Sequence, residues 1–126
     1  MNFHHIGIVC KDIEFATKEY LKIHQNSNLS EIVFDELQNA KLRMITNEDG
    51  LRVEFIEGPS FTKMLIKGIS YYHICYSVKS IKVQIDMLIK NGAILVSDSK
   101  PAILFNNKKV AFLFVSYGLI ELLEEE

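Results

Sequence analysis

His5-Ile6-Gly7-Ile8-Val9-Cys10-Lys11-Asp12-Ile13, near the start of the chain, returns 68 residues later as His73-Ile74-Cys75-Tyr76-Ser77-Val78-Lys79-Ser80-Ile81. A second pair keeps almost the same period: Val53-Glu54-Phe55-Ile56-Glu57 recurs 67 residues on as Ile120-Glu121-Leu122-Leu123-Glu124. Two unrelated matches at nearly one offset mean that one unit is written twice. Each copy carries a histidine where it opens and a glutamate where it closes. A fold built from two such copies brings two imidazoles and two carboxylates toward a shared centre, which is a metal site in outline.

Working outward from the repeat, residues 3–9 alternate with Ile6, Ile8 and Val9 and predict a strand. Asp12 is placed to cap a helix whose apolar positions Ile13, Ala16, Tyr20 and Leu21 share one face and which ends near His24. A turn at Ser27 and Asn28 leads into strand-like segments at 29–35, 40–46 and 51–57, with Asn47-Glu48-Asp49-Gly50 as a hairpin turn before the last. The order is β-α-β-β-β. The second half repeats it: a strand over 71–78, a helix from Ser80 through Ile81, Ile85, Leu88 and Ile89 to a stop at Gly92, then strands near 93–97, 109–115 and 118–124. Between the halves, Gly58 to Ser70 holds a short helical patch with Phe61, Met64 and Leu65. The expected organisation is one α+β domain over residues 1–126, with module 1 at about 1–58, a connector over 59–69 and module 2 at about 70–126.

At 126 residues the chain is long enough for one cooperative core and too short for two independent ones. Apolar residues make up 48% and charged residues 24%, the net charge is −2, and no lysine or arginine stripe forms, which speaks against a nucleic-acid partner. No apolar leader opens the sequence and no run of about 18 apolar residues occurs, so the expectation is a cytoplasmic protein without a membrane span. Cys10 and Cys75 are the only cysteines. Without a C-x-x-C pattern they read as small buried hydrophobes rather than as a disulfide or a zinc motif.

Side chains alternate along a strand, so Glu54 shares its face with Arg52 and Ile56 while Val53 and Phe55 point the other way. Glu121 sits likewise with Leu119 and Leu123, opposite Ile120 and Leu122. Both strands are apolar enough to be buried on both faces. A carboxylate left ionised there without a partner costs several kcal/mol, so it must be neutralised, paired or bound to a cation. The candidate ligands are therefore His5, Glu54, His73 and Glu121. Two imidazoles and two carboxylates suit a borderline divalent ion (Ni, Co, Zn, Mn or Fe) with open positions for a substrate oxygen. Such a site serves proton transfer next to a carbonyl, with Glu121 or Glu54 as the base. By contrast, His4, His24 and Glu57 carry no functional reading on their own. Lys41, Arg43, Arg52 and Lys108 are open to two readings, a partner for an anionic substrate group or a solvated charge. The closing Glu124-Glu125-Glu126 reads as a solvated tail.

These residues resemble the vicinal oxygen chelate superfamily, which includes glyoxalase I, methylmalonyl-CoA epimerase, bleomycin resistance proteins and extradiol dioxygenases. His5-Ile-Gly-Ile resembles the family's first strand, Tyr72-His73-Ile-Cys the strand opening its second module, and Gly118-Leu-Ile-Glu121-Leu its closing strand. The resemblance implies two tandem βαβββ modules forming a cupped mixed sheet around a metal site, a small-molecule substrate and a homodimer. The stretches Gly68 to Tyr76 and Pro101 to Phe114 are most similar to the epimerases. Those carry glutamine where this chain has Glu54, and a catalytic glutamate where it has Leu42. The order His, Glu, His, Glu is similar to bacterial glyoxalase I (lactoylglutathione lyase), although Val9 stands where that enzyme has an arginine for glutathione, and Gly58 or a neighbour replaces its asparagine after the second ligand. The function implied is a metal-dependent lyase or isomerase of the glyoxalase I type. The alternatives are an epimerase-like racemase, a non-catalytic binder similar to bleomycin resistance proteins, and an Fe²⁺ oxygenase using His5, His73 and Glu121.

Overall fold

The computed structural model describes residues 1–125, which divide into two compact units, one of residues 5–72 and one of residues 1–4 with 73–125. The dividing line falls inside the first strand, β1 (Asn2–Val9).

In the unit of residues 5–72, β1 leads to α1 (Ile13–Ile23), β2 (Asn28–Leu29), β3 (Val33–Asp35), β4 (Ala40–Thr46) and β5 (Arg52–Glu57). Asp12 caps α1 as its residue type predicts, its carboxylate accepting the Phe15 N–H at 2.9 Å. The helix ends at His24, whose N–H reaches the Tyr20 carbonyl. β5 pairs parallel with β1 and antiparallel with β4, while β2 and β3 both pair with β4. The strand expected over 29–35 is thus two short ones. The break is filled by Ser30: its hydroxyl accepts the Met44 N–H at 2.9 Å and its own N–H donates to the Met44 carbonyl at 2.8 Å. A side chain takes over the ladder for one step.

Ile13 packs with Ile45, Val53 and Phe55 under α1, flanked by Ala16 and Tyr20. Leu21, expected on that face, is only partly covered, and Thr17 is buried instead. Its hydroxyl is satisfied locally, donating to the Ile13 carbonyl at 2.7 Å. The Asn47–Gly50 turn forms as expected, with Gly50 at φ 91° and Tyr20 donating its hydroxyl to Asn47 Oδ1 at 2.7 Å. The connector contains a 3₁₀ turn, Pro59–Phe61, and the five-residue α2, Thr62–Ile66.

The other unit repeats the order with β6 (Tyr71–Val78, of which residues 73–78 lie in this unit), α3 (Ile81–Lys90), β7 (Ile94–Ala102), β8 (Lys108–Val115) and β9 (Gly118–Glu124). β9 pairs parallel with β6 and antiparallel with β8, and β7 closes the edge on β8. The topology matches that of the first unit, with the single strand β7 in the place of the two short strands β2 and β3. Ser80 caps α3 by accepting the Val83 N–H, and Gly92 ends it at φ 100°. β7 runs five residues beyond the expected 93–97. Its register breaks between Leu95 and Lys100, and Pro101, which has no N–H to give, is tolerated because β7 is an edge strand. One face of this sheet packs Ile120, Leu122 and Leu113 against Ile81 and Ile85 of α3; the other carries Cys75, Val110, Phe112 and Leu123.

The closing glutamates of the repeat have a structural role that the sequence reading does not give them. Glu57 Oε1 accepts the Ile13 N–H at 2.9 Å, and Glu124 Oε2 accepts the Ile81 N–H at 2.9 Å. Each unit therefore places a carboxylate of its last strand on the positive end of its own helix, where free N–H groups and the macrodipole favour an anion. This corrects the reading of Glu124 and Glu125 as a solvated tail. Glu124 caps α3 and Glu125 binds Lys108 at 3.1 Å, while Glu126 lies outside the described residues.

Candidate functional site

In each unit the histidine and the glutamate come from neighbouring parallel strands. Within residues 5–72, Glu54 on β5 stands opposite Gly7 on β1, and His5 lies two residues before Gly7 on the same face. In the other unit, Glu121 on β9 stands opposite Cys75 on β6, and His73 lies two residues before Cys75. The diagonal is the same, with a small residue at the crossing point in both cases.

The side chains meet. His5 Nε2 lies 3.5 Å from Glu54 Oε1, and His73 Nε2 lies 3.2 Å from Glu121 Oε1. All four residues are buried, none more than 5% exposed. The strands on the far side of each carboxylate supply apolar neighbours: Met44 on β4 opposes Glu54, and Phe112 on β8 opposes Glu121. Phe112 also meets the His73 ring edge to face, centroids 5.5 Å apart.

These pairs suit a cation. Cis ligands on a divalent ion with bonds of about 2.1 Å are about 3.0 Å apart at a right angle, close to the two observed separations. Imidazole nitrogen and carboxylate oxygen are the donors such an ion takes, and burial among apolar neighbours makes neutralisation of the carboxylate necessary. Each unit thus presents half of the set expected from the sequence.

The remaining candidates find other places. Leu42 is buried opposite Ile56, and the face of β4 turned to Glu54 carries Ala40, Leu42, Met44 and Thr46, so no titratable group stands there. Arg43 is tied into the scaffold: its Nε donates to the Ser30 carbonyl at 3.1 Å and its Nη1 to Thr17 Oγ1 at 3.3 Å. Lys41 approaches Glu57 at 3.8 Å and Lys108 binds Glu125, while His4 lies 3.8 Å from Glu125 and edge-on to Phe105. Cys75 is buried as expected. Cys10 is only partly covered, yet burial, helped by the negative charge of Glu57, pushes its thiol up to about 11. The signal for the helix-capping glutamates was present in the sequence: Glu57 and Glu124 recur at the period of the repeat.

Paired βαβββ units, each with a buried imidazole and carboxylate on adjacent parallel strands, define a structural class. The chain belongs to the Glyoxalase/Bleomycin resistance protein/Dioxygenase superfamily, whose model matches residues 4–112. Among solved structures, the fold is similar to a hypothetical protein from Bacillus halodurans C-125, at 23% identity and TM-score 0.82, covering 99% of this chain and 94% of that one. It is similar also to methylmalonyl-CoA epimerase from Mycobacterium tuberculosis, at 16% identity and TM-score 0.83, covering 99% and 88%. A variant of the Streptomyces coelicolor methylmalonyl-CoA epimerase in complex with 2-nitronate-propionyl-CoA matches at 19% identity and TM-score 0.77, covering 99% and 97%. No curated protein matches the chain in sequence.

Proposed function

We propose that the protein is a metal-dependent lyase or isomerase of the glyoxalase I (lactoylglutathione lyase) type, moving a proton next to the carbonyl of a small α-carbonyl compound or thioester. In this reading His5, Glu54, His73 and Glu121 would together hold one divalent ion (Ni, Co, Zn, Mn or Fe). The observation that carries this reading is the repetition, in both units, of a buried histidine and glutamate on the same diagonal of parallel strands. A scaffold with no use for these groups gains nothing by keeping two carboxylates in apolar surroundings.

A bound ion of this kind withdraws electron density from a substrate carbonyl and acidifies the neighbouring C–H. The protein supplies the rest. His5 and His73, as neutral imidazoles, give the site two ligands without charge. Glu121 or Glu54 takes the proton from the substrate carbon at a carboxylate oxygen and returns it to the adjacent position. Met44 and Phe112 are the apolar neighbours of the two carboxylates, and the proton held there exchanges with solvent between its removal and its return. Val9 stands where glyoxalase I carries an arginine for glutathione, so glutathione recognition is the part of the glyoxalase I reading that the test must decide.

An epimerase-like racemase is the second reading, supported by the likeness to methylmalonyl-CoA epimerases. Inverting a centre takes an acid and a base on opposite sides of the substrate, and β4 offers only Ala40, Leu42, Met44 and Thr46 toward Glu54. A one-base transfer accords better with that face. Metal-loaded protein in D₂O, given the methylglyoxal hemithioacetal of glutathione and methylmalonyl-CoA in turn, separates the readings. Deuterium entering beside a carbonyl, and lost on chelation, is the expected result. Full turnover in excess chelator after verified metal removal contradicts it.

A further inference from the structure

Three apolar side chains stand directly opposite one another across the edge of the unit that holds His73. Ile94 on β7 pairs with Phe114 on β8, and Phe114 pairs with Leu119 on β9. The next strand is β6, where Ile74 pairs with Ile120, so His73 is the residue beside Leu119. The four form one row on one face, Ile94, Phe114, Leu119, His73. Leu119 packs against the cluster of Cys75 and Phe112, which fixes the row to the face that carries Glu121, two residues farther along β9. Beyond that cluster, the outer part of the row is uncovered: Ile94 is 67% exposed and Phe114 50%.

We infer that this row is the subsite for the alkyl or aryl part of the substrate, and so that the substrate carries an apolar substituent of several carbons next to the oxygens held at the proposed ion. The inference rests on the metal reading above. Its support is continuity: the track starts at solvent, presents only carbon, and ends at a proposed ligand. An aromatic ring flanked by two branched side chains gives a flat apolar platform of the kind ligand sites use to hold hydrocarbon.

The test uses Co²⁺-loaded full-length protein and straight-chain hydroxamic acids, from acetohydroxamic to octanohydroxamic acid, as oxygen-chelating probes, with affinity read by calorimetry. Wild type is expected to gain about two- to fourfold in affinity per added methylene. The Ile94→Ser/Phe114→Ser variant is expected to bind acetohydroxamic acid as wild type does and to lose the dependence on chain length. Ile94→Ser alone, at the most exposed position, is expected to weaken only the longest probes. An unchanged dependence in the double variant, or none in wild type, overturns the subsite. A double variant that converts a dimer to a monomer while keeping the dependence gives the row to a second copy of the chain and also overturns it. Failure of acetohydroxamic acid to bind, or of Co²⁺ to load, brings down the metal reading itself, and the two failures are told apart by that first probe.

Discussion

In the proposed reading Glu121 and Glu54 carry the chemistry, and their replacement by glutamine removes charge while keeping shape. Glu121→Gln is expected to lower turnover on the order of 10²- to 10⁴-fold, the usual range for losing a positioned general base, and to weaken metal binding at the same time. Turnover of the substrate found by the deuterium experiment, read beside metal content, checks this. Cys10 makes a contrasting case. Its thiol, raised to about 11 by burial and by Glu57, stays protonated at neutral pH. Iodoacetamide labelling of Cys10 is therefore expected to be slow at pH 8 and to accelerate only as pH approaches 11. Between the ordinary thiol value near 9.0 and 11 the unfolded chain loses this proton and the folded chain keeps it, so stability falls as pH rises through that window. Cys10→Ala removes that part of the pH dependence; rapid labelling at pH 8 contradicts the assignment.

At the scale of elements, each helix is held at its start by two acceptors, one local and one from the closing strand of its unit. Asp12 and Glu57 serve α1, and Ser80 and Glu124 serve α3. Asp12→Ala is expected to cost about 1 kcal/mol. Glu57→Gln and Glu124→Gln are each expected to cost about 0.5–1 kcal/mol, the worth of an anion at a helix N-terminus. Urea unfolding at pH 7 measures all three; no change in the Gln variants would reduce the shared glutamates to surface charges. Gly58 is a tighter constraint. A Cβ there would lie 2.7 Å from the Asn39 carbonyl oxygen, so Gly58→Ala is expected to destabilise by about 1–3 kcal/mol as the two segments are forced apart.

Much of this layer was legible in the sequence. Strands 40–46, 71–78 and 118–124 follow their alternation to the residue, and both helix caps are the residue types that N-caps favour. What was not legible depends on partners distant along the chain. Ser30 breaks the expected 29–35 strand because its hydroxyl reaches Met44, and β7 runs on past residue 97 because an edge strand accepts bulges and a proline. Arg43 illustrates the same limit. Nothing nearby in sequence announces that its guanidinium spans Thr17 and Ser30.

For the molecule as a whole, duplication is the decisive signal, because the spacing of the repeat alone joins His5 with His73 and Glu54 with Glu121. The strand register within each unit then gives both pairs one diagonal. Holding two buried carboxylates has a consequence for stability. An ion bound only by the folded chain is expected to add about 2.7 kcal/mol at a hundred times its dissociation constant, visible as a rise in melting temperature on adding Ni²⁺ or Co²⁺ and reversed by chelator. The central claim is that both halves of the repeat serve a single cation. Its most direct measurement is the number of divalent ions bound per chain, in wild type and in His5→Ala and His73→Ala separately. We predict one ion per chain in wild type and near none in either variant; two ions per chain, or a full complement surviving the loss of one histidine, would contradict it.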